Sequence, residues 1–287
     1  MKPKTISLLR KIPLLRKAYN LVTDFRDKLQ RMAFVKYRKD KSSSELTKIL
    51  SFENNLRMKF DLRDYYNWML YHKMIRAKNL EPSSTELVRR LLKPGDVFVD
   101  IGANIGYYTL LAASLVGSGG KVYSFEPSPQ TYVRLVDNIN LNSFHNIIPY
   151  RLAISDKLSI IKIYIDENSQ DLNSIYRKTD KFITVSAYPL EKICKGKIDL
   201  IKIDCEGCEY EALRGMRNIV IPKEGDISRT KIIIELNPSF TSSDFFNYLR
   251  KEFEIYGIER NINRKLNEIK RMEEINSGNV LLIPKIK

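Results

Sequence analysis

At residues 97–106 the chain reads Val97-Phe98-Val99-Asp100-Ile101-Gly102-Ala103-Asn104-Ile105-Gly106. An apolar run breaks into glycines here, and the apolar segment 107–113 that follows is typical of a helix. Glycine permits both a tight turn and the close approach of a ligand to the backbone. The stretch therefore predicts a strand, a ligand-binding turn and the start of a helix. The alternative for the glycines alone is a tight turn that binds nothing.

A second apolar run, residues 121–125, ends at Glu126, about 20 residues beyond the turn. A carboxylate at the end of this strand is the usual partner of a ribose diol, which indicates an adenosine-containing cofactor. Dinucleotide-binding turns need a glycine where the backbone touches the pyrophosphate, but Asn104 occupies that position. S-adenosylmethionine carries no phosphate and fits better. We expect Glu126 to bind its ribose and Asp100 to hold its ammonium, directly or through water.

The charge of the chain is concentrated at its N-terminus. The 287 residues carry a net charge of +15, and residues 1–41 contain 13 Lys and Arg against three Asp. Three cysteines do not form a disulfide framework in a chain of this length. No apolar run reaches the roughly 20 residues that span a bilayer, and no uninterrupted apolar core of a secretory signal is present. We expect a cytoplasmic protein, or one associated with the inner face of the membrane.

Apolar residues recur at spacings of three and four between residues 5 and 38, which predicts a basic helix that Pro13 bends or restarts. This helix either packs on the main domain or a second subunit, or lies on an anionic membrane surface. Nucleic-acid binding is the weakest alternative, because no recognisable reading motif accompanies the charge. Residues 45–80 are expected to be helical or irregular. We divide the chain into an N-terminal extension, residues 1–80, and a main domain, residues 81–287.

Strands and helices alternate from residue 82 onwards, which predicts an α/β domain with a mostly parallel sheet and helices on both faces. The last two strands are expected to form an antiparallel pair. The predicted strands are 97–101, 121–125, 147–151, 159–165, 182–186, 199–203, 231–236, 253–258 and 279–284. The predicted helices are 106–116, 129–141, 208–216 and 243–252.

A second group of acidic residues follows two more predicted strands. Asp204 and Glu206 come after the apolar run 199–203, and Glu235 lies in the strand 231–236. In an open α/β sheet, ligands bind at the carboxyl ends of the strands. The three carboxylates are therefore expected to converge on one site. The alternative is that some of them only cap a helix, since acidic residues are favoured at helix N-termini.

The pair Cys205 and Cys208 has the spacing of a redox or zinc motif. A structural zinc needs four well-spaced ligands, and the remaining candidates, Cys194, His72 and His145, are not paired at ligand spacing. We therefore interpret the two cysteines as small residues packed at a strand-to-helix connection, and assign no metal ligands.

Several sequence blocks together resemble the FkbM-like S-adenosylmethionine-dependent methyltransferases. They are DIGANIGYYT (100–109), FEPSP (125–129), AISD (153–156), DLIKIDCEGCE (199–209), LRGM (213–216), IELNP (234–238) and NVLLIP (279–284). The resemblance covers residues 82–284 and leaves the first 80 residues outside. It implies a class I, Rossmann-like methyltransferase fold with seven strands, and O-methylation of a hydroxyl on a sugar, a glycan or another small molecule. Asn237 stands where many members have a histidine, which removes that histidine as a base.

Methyl transfer to a hydroxyl requires alignment of the acceptor oxygen with the methyl carbon and gains from a base or a divalent cation. We predict Asp204 or Glu206 as the group facing the acceptor, with Glu235 as a helper; a Mg²⁺ requirement stays open. Two other functions remain: a nucleic-acid methyltransferase, and an inactive cofactor-binding or membrane-docked scaffold. The sequence names neither the acceptor nor the oligomeric state. The predicted cofactor-binding residues are Asp100, Gly102, Asn104, Gly106, Glu126 and Asp156, the last of them for the adenine edge.

Overall fold

The structure is a computed structural model that describes residues 13–39, 41–42, 44–166, 169–174, 180–205, 207–221, 230–237, 241–258, 266–275 and 278–286. The strands are β1 (Thr47–Phe52), β2 (Leu56–Asp61), β3 (Val97–Ile101), β4 (Lys121–Phe125), β5 (Ile147–Tyr150), β6 (Ala153–Ile154), β7 (Ser159–Asp166), β8 (Ser169–Ser174), β9 (Phe182–Tyr188), β10 (Leu200–Ile203), β11 (Lys231–Leu236), β12 (Phe253–Gly257), β13 (Asn267–Glu268) and β14 (Gly278–Pro284). The helices are α1 (Pro13–Arg38), α2 (Tyr65–Ala77), α3 (Pro82–Leu91), α4 (Tyr107–Val116), α5 (Pro129–Leu141), α6 (Leu190–Ile193), α7 (Glu209–Arg214), α8 (Arg217–Val220) and α9 (Ser243–Glu252).

The central sheet has the strand order β13-β12-β14-β11-β10-β3-β4-β5. The strands from β11 to β5 are parallel, whereas β14 is antiparallel to both of its neighbours. This confirms the predicted class I methyltransferase fold and its antiparallel closing pair, with a two-residue edge strand, β13, added. Because β3, β4, β10 and β11 run in the same direction, their carboxyl ends meet at one edge of the sheet.

Residues 47–61 form a β-hairpin, so the expectation that residues 45–80 are helical or irregular was wrong for this part. Leu56, Met58 and Phe60 are buried and alternate with exposed residues, as in a strand with one face on the core. Helix α5 fixes the hairpin to the sheet: the side-chain oxygen of Asn138 accepts from the backbone N–H of Lys59 at 2.7 Å. The hairpin thereby supplies part of the core of the central sheet.

The apolar core continues across residue 81, because Met58 and Phe60 belong to the same buried cluster as Phe98 and Leu110. The division into residues 1–80 and 81–287 stays a prediction. A second cluster lies on the other face of the sheet and includes Phe125, Ile201 and Phe245.

Helix α1 is the helix expected over residues 5–38, and the part of it before Pro13 lies outside the described residues. The Phe34 ring packs edge-on against Tyr65 and Trp68 of α2, with centroids 5.4 and 5.8 Å apart. None of the helices in the described ranges is both long and apolar enough to cross a membrane.

A smaller four-stranded sheet has the order β6-β9-β7-β8. The apolar runs 159–165 and 182–186 had been predicted as strands, and they pair with each other antiparallel as β7 and β9. Strand β6 follows β5 along the chain, so this second sheet begins beside the carboxyl end of β5.

Candidate active site

The turn after β3 is held against its two neighbouring strands. The backbone N–H groups of Gly102 and Ala103 both donate to the carbonyl oxygen of Phe125, at 2.9 and 3.0 Å. Gly102 has a φ of 77°, and a Cβ there would lie 1.9 Å from the carbonyl oxygen of Asp204. The neighbouring backbone of Asp204 therefore requires glycine at this position, independently of any ligand.

The side chain of Glu126, the predicted ribose ligand, is buried and fixed by the backbone. One carboxylate oxygen accepts from the N–H of Asn104 at 3.0 Å and the other from the N–H of Ser128 at 2.9 Å. Asn104 has a positive φ of 51°, and its side-chain oxygen accepts from the N–H of Ile105. The turn and the carboxylate thus hold each other in one orientation.

A cavity opens between this turn, the end of β4, the loop after β10 and the smaller sheet. Its walls are largely apolar, with Phe125, Leu152, Ile154, Ile161 and Ile163 among the lining residues. Of the predicted site residues, the cavity is lined by Gly102, Asn104, Glu126 and Asp204. Asp100, Gly106 and Asp156 are not among its lining residues.

The cavity fits the predicted cofactor. Glu126 lines the cavity with both carboxylate oxygens oriented by backbone N–H groups, and a carboxylate is a group that accepts hydrogen bonds from ribose hydroxyls. The apolar wall offers a surface on which an adenine ring can pack. Both features match an adenosine-containing molecule.

Asp100 is buried under the turn, 1% exposed, and accepts a 2.6 Å hydrogen bond from the hydroxyl of Thr109. Burial raises its pKa to about 6, and the attraction of the Lys202 ammonium offsets part of the rise. Asp100 does not line the cavity, and its predicted contact with the cofactor ammonium, directly or through water, stays a prediction.

The carboxylates Asp204 and Glu235 are brought together, as the sequence predicted. Their side chains are hydrogen-bonded to each other, and the Lys202 ammonium donates to Asp204 at 2.7 Å. Burial opposes ionisation of Asp204, but Lys202 and the bond to Glu235 outweigh it and lower its pKa. Since a hydrogen bond between two carboxyl groups requires a proton, the pair holds one proton, and Asp204 is its ionised partner.

Lys202 was not predicted as a site residue, yet it is the cation at the centre of this edge. Its side chain is 2% exposed, and its ammonium lies 4.6 Å from the centroid of the Tyr108 ring. Burial alone would lower its pKa, but the negative charges of Asp204, Glu81 and Asp100 raise it. The sequence does contain a signal that could have identified Lys202 as a site residue: it is a lysine inside the apolar run 199–203.

Glu81, at the N-terminus of α3, completes the polar network and was also missed. One of its carboxylate oxygens accepts from the Tyr108 hydroxyl and from the Asn279 side chain, both at 2.8 Å. Asn279 pairs in register with Glu235 across β14 and β11. No local pattern could identify this contact, because Glu81 and Asn279 are 198 residues apart.

The loop after β10 is organised by Glu209, whose side chain accepts from the N–H groups of Cys205 and Gly207 at 3.3 and 3.1 Å. The Cys208 thiol donates to the carbonyl oxygen of Cys205. Glu206, one of the predicted catalytic carboxylates, lies outside the described residues. Within the part of the chain that the structure describes, no group of three or more His, Cys, Asp or Glu could hold a metal ion.

Asp156, predicted to reach the adenine edge, forms an ion pair with Arg214 at 3.4 Å. Close packing supports this pairing, because a Cβ on Gly215 would lie 1.9 Å from the carbonyl oxygen of Ser155. Its adenine role stays a prediction.

Comparison with known proteins finds similarity to methyltransferases. The sequence profile of the Methyltransferase FkbM domain matches residues 100–270. The profile of protein-L-isoaspartate(D-aspartate) O-methyltransferase matches residues 31–155. A curated relative, hexuronic acid methyltransferase AglP of Haloferax volcanii, is 28% identical over 141 residues, which are 46% of this chain and 56% of AglP. The match thus spans little more than half the length of that relative.

Two solved structures are among the similar ones. The methyltransferase FkbM of Methylobacillus flagellatus KT is 16% identical, with a TM-score of 0.41, over 69% of this chain and 50% of that chain. A SAM-dependent O-methyltransferase of Thermotoga maritima is 14% identical, with a TM-score of 0.42, over 83% of this chain and 92% of that chain.

Proposed function

Because this chain belongs to the methyltransferase FkbM domain family, we propose that it O-methylates a hydroxyl of a sugar, a glycan or another small molecule with S-adenosylmethionine as methyl donor. The observation that carries the proposal is the Asp204–Glu235 pair, held by Lys202 at the cavity that Glu126 lines. The name of the relative AglP, a hexuronic acid methyltransferase, supports a sugar acceptor.

The donor side of the site is formed by the turn after β3 and the end of β4. Bound S-adenosylmethionine supplies a methyl group on a positively charged sulfur. Glu126 binds the ribose hydroxyls, and Asn104 holds Glu126 in place through its backbone N–H. The apolar side chains of Leu152 and Ile154 exclude water from the adenine pocket.

The acceptor side is formed by the loop after β10. Asp204, the ionised partner of the pair, accepts the proton of the acceptor hydroxyl, and Glu235 retains its own proton in the bond between the two carboxyl groups. Lys202 keeps Asp204 anionic before the transfer, so the base is ready when the acceptor binds. Glu206 follows Asp204 by two residues and remains a second candidate base.

Donor binding is tested by calorimetric titration of the full chain with S-adenosylmethionine and with its demethylated product. Glu126→Gln keeps the shape of the side chain but removes the charge, and we expect it to weaken binding about tenfold or more. Asp137→Asn, an exposed substitution on α5, is the matched control and leaves binding unchanged. The proposal fails if the unmodified chain binds neither compound.

The acceptor is tested with radiolabelled S-adenosylmethionine and a panel of uronic acid glycosides, neutral glycosides, RNA and DNA. Transfer to a glycoside hydroxyl, abolished by Asp204→Asn, supports the proposal. Transfer to RNA or DNA alone assigns the chain to the nucleic-acid alternative. Donor binding without transfer to any member of the panel favours the inactive scaffold.

A further inference from the structure

Helix α1 carries a row of apolar side chains that face away from the protein. Phe25, Leu29, Met32 and Val35 are 63%, 49%, 60% and 57% exposed, although large apolar side chains are normally buried. Steps of three and four residues place them on one side of the helix. We call these four residues the docking stripe.

The opposite side of α1 is fixed to the protein. Phe34 is 6% exposed and packs against α2, and the ring of Tyr37 lies 5.9 Å from that of His72. The hydroxyl of Tyr65 donates to the side-chain oxygen of Gln30 at 3.4 Å, and the Arg31 guanidinium lies 4.8 Å from the Tyr65 ring centroid. The side of α1 that packs on α2 is thus the side of Phe34. Packing against the core therefore does not explain why the four docking-stripe residues are apolar.

Exposed basic residues lie on and beside the side of α1 that carries the docking stripe. Arg26, Lys28, Lys36 and Lys39 are all exposed, and residues 25–39 contain six Lys and Arg against one acidic residue, Asp27. An amphipathic helix with an apolar strip and Lys or Arg beside it is the form that lies in the interface of an anionic bilayer. We propose that α1 binds the surface of a membrane containing anionic lipids, with the docking stripe inserted between the headgroups and the basic residues contacting them.

The charges distinguish this partner from a second copy of the chain. Two copies meeting through the docking stripe would bring the same basic residues together, and like charges across an interface disfavour association. The phosphates of a nucleic acid would form ion pairs with the basic residues. The four apolar side chains, however, would then lie beside the charged phosphate backbone of the nucleic acid. An anionic bilayer satisfies both features at once.

The test is co-sedimentation of the full chain with vesicles of phosphatidylcholine alone and of phosphatidylcholine with one quarter phosphatidylglycerol. We expect binding to the anionic vesicles only. Phe25→Ser with Met32→Ser should weaken binding about tenfold or more. Lys36→Gln with Lys39→Gln should weaken it about fivefold for each lysine. The matched control is Leu158→Ser with Ile160→Ser, which removes two equally exposed apolar side chains from another surface and should change nothing.

Three results would overturn the proposal. They are the absence of a preference for anionic vesicles, binding that survives loss of the docking stripe, and an equal loss in the Leu158 and Ile160 control. Sedimentation equilibrium without lipid adds a further check. If the unmodified chain is a dimer that does not bind vesicles, and the variant Phe25→Ser with Met32→Ser is a monomer, the docking stripe is assigned to a second copy. Retention on RNA or DNA in place of vesicles assigns it to nucleic acid. Circular dichroism and thermal unfolding verify that each variant is folded, and no readout depends on methyl transfer.

Discussion

The ends of β3 and β10 carry one aspartate each, near the same lysine, and the pKa values of the two groups shift in opposite directions. Asp100 stands opposite Lys202 in the parallel register, whereas Asp204 follows two residues later and contacts the ammonium directly. Burial raises the pKa of Asp100 to about 6, although Lys202 and Thr109 offset part of that effect. The pKa of Asp204 is lowered, because the direct ion pair and the bond to Glu235 outweigh burial.

The difference shows that a nearby cation is not enough to lower the pKa of a buried carboxyl group. Asp204 is a quarter exposed and has a direct partner, while Asp100 is almost fully enclosed and bonded to a neutral hydroxyl. Desolvation therefore sets the direction of the pKa shift of Asp100, whereas the ion pair with Lys202 and the bond to Glu235 set that of Asp204. Asp204 lines the cavity and Asp100 does not, so we propose the proton-accepting role for Asp204 alone.

The largest effect is expected for Asp204→Asn, which removes the charge and keeps the shape. General-base catalysis contributes about 10²- to 10⁴-fold, so kcat should fall by that range. The affinity for S-adenosylmethionine, measured by calorimetry, should stay within about threefold because Glu126 is untouched. Glu206→Gln is the comparison variant. A loss of kcat in Glu206→Gln but not in Asp204→Asn would transfer the role of base to Glu206.

Lys202→Met tests the ion pair between Lys202 and Asp204. Removing one partner of a buried ion pair costs about 3 kcal/mol or more, so the free energy of unfolding measured in urea should fall by about that amount. The double variant Lys202→Met with Asp204→Asn should lose less, because it leaves one fewer uncompensated carboxylate. Equal losses in the single and double variants would mean that packing, and not charge, is the contribution of Lys202.

Asp100→Asn tests the raised pKa of Asp100. The folded pKa of about 6 lies above the ordinary value of 3.8, so the folded state holds a proton that the unfolded state has released. The stability that this proton provides is complete at pH below 3.8 and is lost as the pH rises through 6. Between pH 4 and 7, urea unfolding should show the wild type losing up to about 3 kcal/mol relative to Asp100→Asn. A difference that is constant with pH would contradict the raised pKa.

The smallest effect is expected for Cys205→Ala and Cys208→Ala. Both thiols lie beside Asp204, and the described residues place no metal-binding group around them. We expect kcat/KM to stay within about threefold and the free energy of unfolding to fall by about 1 kcal/mol. A large loss of activity, or sensitivity to a zinc chelator, would make the pair functional.

The central sheet could be predicted because its strands are continuous apolar runs between turn signals. The segments 97–101, 121–125 and 231–236 coincide with β3, β4 and β11. The hairpin β1–β2 was missed although Leu56, Met58 and Phe60 alternate with charged residues. Its place beside α5 depends on contacts such as Asn138 to Lys59, which no local pattern contains.

The site was predicted only where the chemistry is local to a strand end. Glu126 and Asp204 follow strands directly, and parallel strands bring them to the same edge. Lys202 and Glu81 were missed because their roles depend on what surrounds them in space: a lysine in a buried strand is unusual, but its partners come from distant parts of the chain. Asp156 shows the reverse case, since its local block suggested a ligand while Arg214 supplies its partner in the fold.

The missing side chain of Gly102 has a consequence for engineering. The turn after β3 and the backbone of Asp204 touch at a point where even a methyl group would not fit. The turn after β3 and the start of the loop after β10 are therefore fixed against each other, although Gly102 and Asp204 lie 102 positions apart in the sequence. A chimera that takes its acceptor site from another protein should exchange both segments, 100–106 and 202–209. If only one were exchanged, it would have to pack against the unchanged backbone of the other.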